Sequence, residues 1–331
     1  MGLIINYREC EYMIFKVLIT DYEYENLDYE EEIFINSGLK IEMIKAQCKT
    51  EEEVIENGQL ADAIINQYAP ISERVIKSLP HLKVISHYGV GVNTIDINAA
   101  REKGIVVANV PDYGMEEVSN HALALLLAWA RKIPLLNREV KNGNWDFKVS
   151  TPIHRFSHQT LGVLGFGRIP RRFIEKAKPL GFKVAAYDPF ISKEDMAAVG
   201  VLKMEFDEII KESDFLSIHV PLIKETYHLL DKEQFKKMKK NAVVINTARG
   251  PIIDETALVE ALEKGFITGA ALDVTEEEPV SKNSPLLKMD NVIITPHSAW
   301  YSEESMIELR QKAARNIVQV LNGEESPYSL K

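Results

Sequence analysis

The sequence predicts an α/β fold with two domains, each built on a doubly wound parallel sheet. Short apolar stretches suited to buried strands alternate with helical patterns along the chain, which is typical of parallel sheets covered by helices. The length of 331 residues is large for one domain and sufficient for two cores. A glycine-rich turn between an apolar strand and a helix, near the middle of the chain, is typical of a nucleotide-binding βαβ unit.

This turn lies in residues 161–188. Gly165 and Gly167 follow an apolar strand and allow a tight turn and the close approach of a pyrophosphate, which the next helix would bind through its free N–H groups. Asp188 follows the next strand, 184–187. It stands roughly 20 residues after the glycine-rich turn, the sequence spacing at which a carboxylate binds ribose hydroxyls. Because a carboxylate repels a 2′-phosphate, we expect NAD rather than NADP. An ordinary strand-turn-helix without a nucleotide is the alternative.

One residue departs from the glycine fingerprint. Pro170 stands where a third glycine normally lets helix and strand pack closely. Proline is tolerated in the first turn of a helix because its missing N–H would have no partner there. We therefore expect a shifted helix and retained cofactor binding.

Charge and cysteine content restrict the classes of function. The formal net charge of −10 argues against binding to a phosphate backbone, so nucleic acid is not an expected partner. Two cysteines, Cys10 and Cys48, are too few for a disulfide framework or a zinc site, which indicates a reducing compartment and no metal. No apolar stretch is long enough to span a bilayer and no leader pattern opens the chain, so we expect a cytoplasmic protein. Residues 1–12 are either native or an extension, since a strand pattern opens at Met13.

The first part of the chain alternates strands and helices up to about residue 117. Its strand at 84–86 runs into HYGVGVNTID, whose amides at Val90 and Gly91 could hold a carboxylate; a plain tight turn is the alternative. A long helix from about Glu117 is apolar nearly all round and is predicted to be buried, in a core or an interface. The last helix, 302–321, is expected to pack back on the first domain. The predicted domains are thus 1–117 with 300–331, and 118–299.

Polar residues follow the strands of the second part. Arg249, Glu278 and His297 come after three of them, at the sheet edge where the dinucleotide would lie. An arginine can hold the carboxylate of a 2-oxo acid, and a histidine supported by a carboxylate can transfer a proton near neutral pH. Taken singly, each also fits an ordinary surface ion pair, a helix cap or a loop residue.

A family resemblance brings these features together. The segments GVGVNTID, LGVLGFGRI, YDP, HVPL, NTARG, ALDVTEEEP and TPHSAWYS, in this order, resemble the D-isomer-specific 2-hydroxyacid dehydrogenases from about Phe15 to Leu321. HSAWYSEES and NLDYEEEIF further resemble the branch that contains the C-terminal-binding-protein corepressors. The family resemblance implies a Rossmann NAD-binding domain and a discontinuous, flavodoxin-like substrate domain.

The resemblance also implies roles for residues. Arg249, Glu278 and His297 would be catalytic. Val90, Gly91 and Trp300 would contact the substrate, with Trp300 as a core residue the alternative. The implied cofactor contacts are Gly165, Phe166, Gly167, Arg168, Ile169, Asp188, Val220, Pro221, Thr226, Thr247, Ala248 and Asp273. A second departure is His87, which stands where the corepressor branch has an arginine.

The expected function is therefore NAD-dependent interconversion of a 2-oxo acid and a D-2-hydroxy acid, in a homodimer formed through the helix near Glu117. We expect a medium apolar 2-oxo acid, with glyoxylate, hydroxypyruvate and phosphohydroxypyruvate as open alternatives. An NAD-sensing, corepressor-like binding module is the other hypothesis. Formate dehydrogenase is disfavoured because that branch has glutamine where Glu278 stands. The chain ends soon after its last predicted helix, so we expect no carboxyl-terminal regulatory domain.

Overall fold

A computed structural model describes residues 14–330. They form two compact units: residues 14–114 with 302–330, called unit 1, and residues 115–301, called unit 2. The sequence suggested boundaries after residues 117 and 299. The possible extension at residues 1–12, with Cys10, lies outside the described residues.

Unit 1 is built on a sheet of five parallel strands in the order β2-β1-β3-β4-β5. This is the flavodoxin-like order, so the predicted doubly wound fold is confirmed here. The strands are β1 (Ile14–Ile19), β2 (Lys40–Lys45), β3 (Ala63–Asn66), β4 (Val84–His87) and β5 (Val106–Ala108). Numbered in chain order, the helices are α1 (Asp28–Asn36), α2 (Glu51–Gly58), α3 (Glu73–Ser78), α4 (Ile97–Glu102) and α12 (Glu303–Leu321).

Local sequence accounts for the start of α2, and long-range packing accounts for the position of α12. Thr50 accepts a hydrogen bond from the Glu53 amide, while the Glu53 side chain accepts from the Thr50 amide, which is the capping box that starts α2. α12 packs against α1 and β4. Its Arg310 forms a buried ion pair with Glu30 of α1. The end of the chain therefore completes the core of unit 1.

Unit 2 is built on seven parallel strands in the order β12-β11-β10-β9-β6-β7-β8. The strands are β6 (Thr160–Leu164), β7 (Lys183–Tyr187), β8 (Leu202–Lys203), β9 (Phe215–Ile218), β10 (Val243–Asn246), β11 (Gly269–Leu272) and β12 (Val292–Ile294). The helices are α5 (Met115–Ala130), α6 (Ile133–Lys141), α7 (Arg168–Ala177), α8 (Lys193–Ala198), α9 (Phe206–Glu212), α10 (Lys232–Lys237) and α11 (Glu255–Glu263). The apolar side chains of these strands belong to two buried clusters of unit 2. The strand order reverses between β6 and β9, where doubly wound sheets bind ligands, and the predicted Rossmann fold is confirmed.

The apolar helix α5 belongs to the core of unit 2. One face, which includes Leu126 and Trp129, is buried against the sheet. The Trp129 indole N–H donates to the Asn291 carbonyl at 3.1 Å, and a side chain at Gly269 would collide with the indole at 2.3 Å. Glycine is thus required beneath the tryptophan. Among the described residues, no helix is both long and apolar enough to cross a membrane.

Candidate active site

The glycine-rich turn follows β6, at the reversal of strand order in unit 2. Gly165 has a φ of +94°, and its amide donates to the Tyr187 carbonyl at 2.8 Å. A β-carbon at Gly165 would come within 2.9 Å of the His219 carbonyl oxygen. A β-carbon at exposed Gly167 would meet open space. The turn therefore tolerates no side chain at its first glycine and leaves an open approach at its second.

Pro170 is accommodated in the first turn of α7. The helix begins at Arg168 directly after Gly167, and Pro170 is its buried third residue. The first four N–H groups of a helix have no partner within it, so the missing N–H removes no helical hydrogen bond. The helix continues without a break to Ala177.

Asp188 is joined to the same turn. One carboxylate oxygen accepts from the Phe166 amide at 2.9 Å, and the other accepts from the Phe190 amide at 2.9 Å. These contacts fix a half-buried carboxylate beside the turn. The turn predicted to bind the phosphates and the carboxylate predicted to bind the ribose therefore lie next to each other.

The other predicted cofactor residues follow β9, β10 and β11. Thr247 is buried, and its hydroxyl has no hydrogen-bond partner in the described structure. Val220 and Ala248 pack against the core, while the Thr226 hydroxyl donates to the Pro221 carbonyl at 2.6 Å. An open glycine turn and an unpaired buried hydroxyl on the same sheet edge fit a polar, elongated ligand such as a dinucleotide.

Glu278 and His297 form a close pair. The His297 Nδ1 atom lies 2.7 Å from one Glu278 oxygen, and the Thr275 amide donates to the other at 3.2 Å. Burial alone would raise the pKa of Glu278, but His297, the Thr275 amide and the charge of Arg249 outweigh burial and hold it below its usual range. An ionised carboxylate can only accept, so Nδ1 must carry a proton. Nε2 is left to exchange a proton with a ligand.

Two further groups define this side of the site. The Arg249 side chain is half-buried and donates to the Ala248 carbonyl at 2.7 Å. His219 also follows a strand of this edge, but burial lowers its pKa to about 3. It is therefore neutral at physiological pH and unsuited to donating a proton. His297 is the strand-end histidine that carries a carboxylate partner.

Asp273 lies directly after β11 and is 1% exposed. Its carboxylate accepts from the amides of Ser298 and Ala299 at 3.0 and 2.8 Å, and its main-chain oxygen accepts from the His297 amide at 2.8 Å. Asp273 therefore holds the turn that carries His297. The sequence predicted a polar residue at this strand end but not its hydrogen bonds to residues 297–299.

The remaining predicted residues divide between the units. In unit 1, the Val90 carbonyl accepts from the Asn109 side chain at 2.7 Å, and Val90 is 41% exposed. Gly91 is half-buried. His87 is buried and lies 3.2 Å from the Asn66 amide oxygen. In unit 2, Trp300 is half-buried, with its ring perpendicular to that of Tyr301.

Metal-ligating residues show no comparable clustering. Across residues 14–330, no group of three or more histidine, cysteine, aspartate or glutamate residues could hold a metal ion. The one described cysteine, Cys48, is buried, and burial raises the pKa of its thiol to about 11.

Known proteins share this arrangement of sequence and fold. Residues 123–299 match the family described as D-isomer specific 2-hydroxyacid dehydrogenase, NAD binding domain. A D-3-phosphoglycerate dehydrogenase of Archaeoglobus fulgidus is 41% identical over 93% of this chain, and the chain spans 58% of that relative's length. A glyoxylate reductase of Korarchaeum cryptofilum is 36% identical over 88% of this chain and 90% of its own length.

Solved structures agree with the sequence relatives. A crystal structure of a D-lactate dehydrogenase from Aquifex aeolicus, complexed with NAD and lactic acid, superposes with a TM-score of 0.85. It is 30% identical and covers 93% of this chain and 96% of its own.

Proposed function

This chain belongs to the family of D-isomer-specific 2-hydroxyacid dehydrogenases, and we propose that it interconverts a 2-oxo acid and a D-2-hydroxy acid with NAD. In the direction of reduction, a 2-oxo acid, NADH and one proton give the hydroxy acid and NAD. The supporting observation is the Glu278–His297 pair, 2.7 Å apart on the sheet edge that also carries Arg249 and the glycine turn.

His297 is the proposed acid and base. Ionised Glu278 keeps a proton on Nδ1 and stabilises the imidazolium, so Nε2 gives its proton to the carbonyl oxygen during reduction and takes one back during oxidation. The bound dinucleotide supplies the hydride that C2 receives.

Arg249 and two backbone amides are proposed to hold the substrate. A guanidinium binds a carboxylate through two N–H groups and polarises the neighbouring carbonyl. The amides of Val90 and Gly91, in the turn after β4 of unit 1, are proposed ligands of a substrate carboxylate. Residues 1–117 with 300–331 would then serve as the substrate domain, and residues 118–299 as the cofactor domain.

The dinucleotide would be held along the edge of unit 2. The turn Gly165, Phe166, Gly167, Arg168 and Ile169 would bind the pyrophosphate, and Asp188 the ribose. Val220, Pro221, Thr226, Thr247, Ala248 and Asp273 would line the rest of the site. Asp273 uses three of its four acceptor positions on protein donors, Thr295, Ser298 and Ala299, which leaves one for the cofactor.

For the substrate side chain we propose an uncharged group, such as a medium apolar chain against Trp300. The loops after β1, β3 and β4 (20–27, 66–71 and 87–93) contain Asp21, Glu23 and Glu25 and no lysine or arginine. These carboxylates make unit 1 acidic at the ends of its strands, which disfavours binding of a phosphorylated acid. Phosphohydroxypyruvate should therefore be reduced much less efficiently than hydroxypyruvate or a branched 2-oxo acid.

A homodimer is the proposed assembly. The helix near Glu117, suggested by the sequence as its interface, is α5, and because α5 packs one face on the sheet of unit 2, the segment that follows it is proposed to contribute to the contact. The segment from α6 onward exposes apolar side chains, among them Ile133 at 55%, Val140 at 45%, Trp145 at 89% and Phe147 at 73%. This concentration of exposed apolar side chains within residues 133–147 favours a protein interface on this segment. Light scattering at micromolar concentration should give a dimer, and replacement of Trp145 and Phe147 by serine should weaken it.

An NADH-oxidation screen over a panel of 2-oxo acids tests the proposal. The wild-type protein should turn over at least one acid, and His297→Ala should lower kcat by about 10³-fold while still binding NADH. His154→Ala, an exposed histidine of the same unit, is the control. Wild-type rates in folded, NADH-bound His297→Ala would show that the proton donor is another group.

The narrower kinship with C-terminal-binding-protein corepressors remains a prediction supported by HSAWYSEES and NLDYEEEIF. The curated relatives described above are a phosphoglycerate dehydrogenase and a glyoxylate reductase. The same screen tests it, because tight NADH binding with negligible turnover on every acid would indicate a sensor instead of an enzyme.

A further inference from the structure

The turn that carries His297, residues 295–299, is held by hydrogen bonds to Asp273. In addition to the backbone bonds, the Thr295 hydroxyl lies 2.5 Å from Oδ1 of Asp273. His297 itself has a φ of +51°, a conformation that costs energy in residues other than glycine. The position of His297 therefore depends on surrounding hydrogen bonds.

His121 of α5 extends this network. Its Nε2 atom lies 2.9 Å from the Thr295 hydroxyl oxygen and 3.5 Å from Oδ1 of Asp273. The Thr295 hydroxyl has one proton, and the ionised carboxylate can only accept it. His121 Nε2 must then be the donor to Thr295. The order of donation is fixed as His121 to Thr295 to Asp273.

We propose that His121 is a positioning residue for His297, an inference that rests on the proposed function. By donating to Thr295, whose hydroxyl donates in turn to Asp273, His121 ties the turn on which His297 stands to α5. α5 packs against β10 and β11, so the anchor is a rigid element. His121 touches neither His297 nor Glu278 in any hydrogen bond of the described structure.

The test compares His121→Leu, which removes the donor, with His121→Gln, whose amide N–H can replace it. His121→Leu should lower kcat about tenfold or more, leave KM for the 2-oxo acid and Kd for NADH within about twofold, and be rescued largely by His121→Gln. Asn120→Ala is the matched control. It removes from the adjacent residue of α5 a hydrogen bond to Lys176, and it should leave kcat unchanged.

A double-mutant cycle with Thr295→Val identifies the route. If His121 acts through Thr295, the His121→Leu/Thr295→Val double variant should be no slower than the slower single variant, within about twofold. If the fold loss of kcat in the double variant equalled the product of the two single losses, His121 would not act through Thr295. If His121→Leu does not fold, comparison of Thr295→Val with Thr295→Ser tests the hydroxyl that His121 contacts. Thr295→Val should lower kcat and Thr295→Ser should keep it, and wild-type kcat in Thr295→Val would overturn the inference.

A readout independent of turnover separates this inference from the proposed function. In ¹⁵N-histidine NMR spectra, the His297 ring signals should shift or broaden in His121→Leu and match the wild type in His121→Gln and Asn120→Ala. Unchanged His297 signals together with wild-type kcat in His121→Leu would overturn the inference. If the wild-type protein reduced no 2-oxo acid, the proposed function would fail, and the NMR comparison would still decide whether His121 positions His297.

Discussion

The Asp188 carboxylate accepts a hydrogen bond from the Phe166 amide at 2.9 Å, which joins the end of β7 to the glycine-rich turn after β6. The group proposed to select the cofactor thus also orders the turn proposed to bind its phosphates. Loss of the carboxylate should therefore affect both cofactor selection and the order of the turn. A residue that only bound the ribose would affect cofactor binding alone.

We predict that Asp188→Ala weakens NADH binding about tenfold or more and narrows the preference for NADH over NADPH. The variant loses the acceptor for the Phe166 amide and the negative charge that repels a 2′-phosphate. Fluorescence titration with both dinucleotides measures the two constants. Asp195→Ala, which removes an exposed carboxylate from the same unit, should change neither. An unaltered ratio of the two constants in Asp188→Ala would contradict cofactor selection by this residue.

We predict that Gly165→Ala abolishes detectable dinucleotide binding and lowers the melting temperature. Both the positive φ and the 2.9 Å approach to the His219 carbonyl exclude a methyl group there. Gly181→Ala is the control because Gly181 has nearly the same φ, +93°, and a β-carbon there would meet only the Ser157 β-carbon, at 4.0 Å. It should share the backbone strain and keep dinucleotide binding. Equal binding losses in the two variants would attribute the effect to strain alone.

Local pattern accounts for the parts of the fold whose interactions are close in sequence. The strand-turn-helix at Gly165 and the capping box at Thr50 each involve residues a few positions apart, and each is visible in the sequence. The polar residues after strands also follow from the pattern, because parallel strands end at one sheet edge.

The supporting interactions could not be predicted because they join distant positions. His121 and Thr295 are 174 residues apart, and Arg310 and Glu30 are 280 apart. No periodicity links such pairs, since only the packing of α5 on its sheet and of α12 on α1 brings them together. Thr295 was visible in the TPH segment, but its role required the positions of Asp273 and His121.

We predict that Glu278→Gln changes the pH dependence of stability. The pKa of Glu278 is held below its usual value of 4.5, so its contribution to stability is present above that pH and is lost as the pH falls through the lowered pKa. The difference in melting temperature between wild type and Glu278→Gln should therefore be larger at about pH 6 than at about pH 3.5. Glu277→Gln, an exposed neighbour, is the control. A difference that stayed constant with pH would show that the carboxylate does not stabilise the fold by its charge.

We predict that Arg310→Met destabilises unit 1 by about 3–5 kcal/mol, because it leaves the buried Glu30 carboxylate without its cation. The Arg310 and Glu30 side chains are 3% and 0% exposed, and two guanidinium nitrogens contact the carboxylate at 2.6 and 2.8 Å. Urea unfolding measures the loss. Arg315→Met, on the exposed side of α12, should change stability by less than about 0.5 kcal/mol. The Arg310→Met/Glu30→Met variant should recover part of the loss, since two apolar side chains leave no unpaired charge. If the double variant lost as much stability as Arg310→Met and Glu30→Met lose when measured singly and added, packing, and not charge pairing, would require these residues.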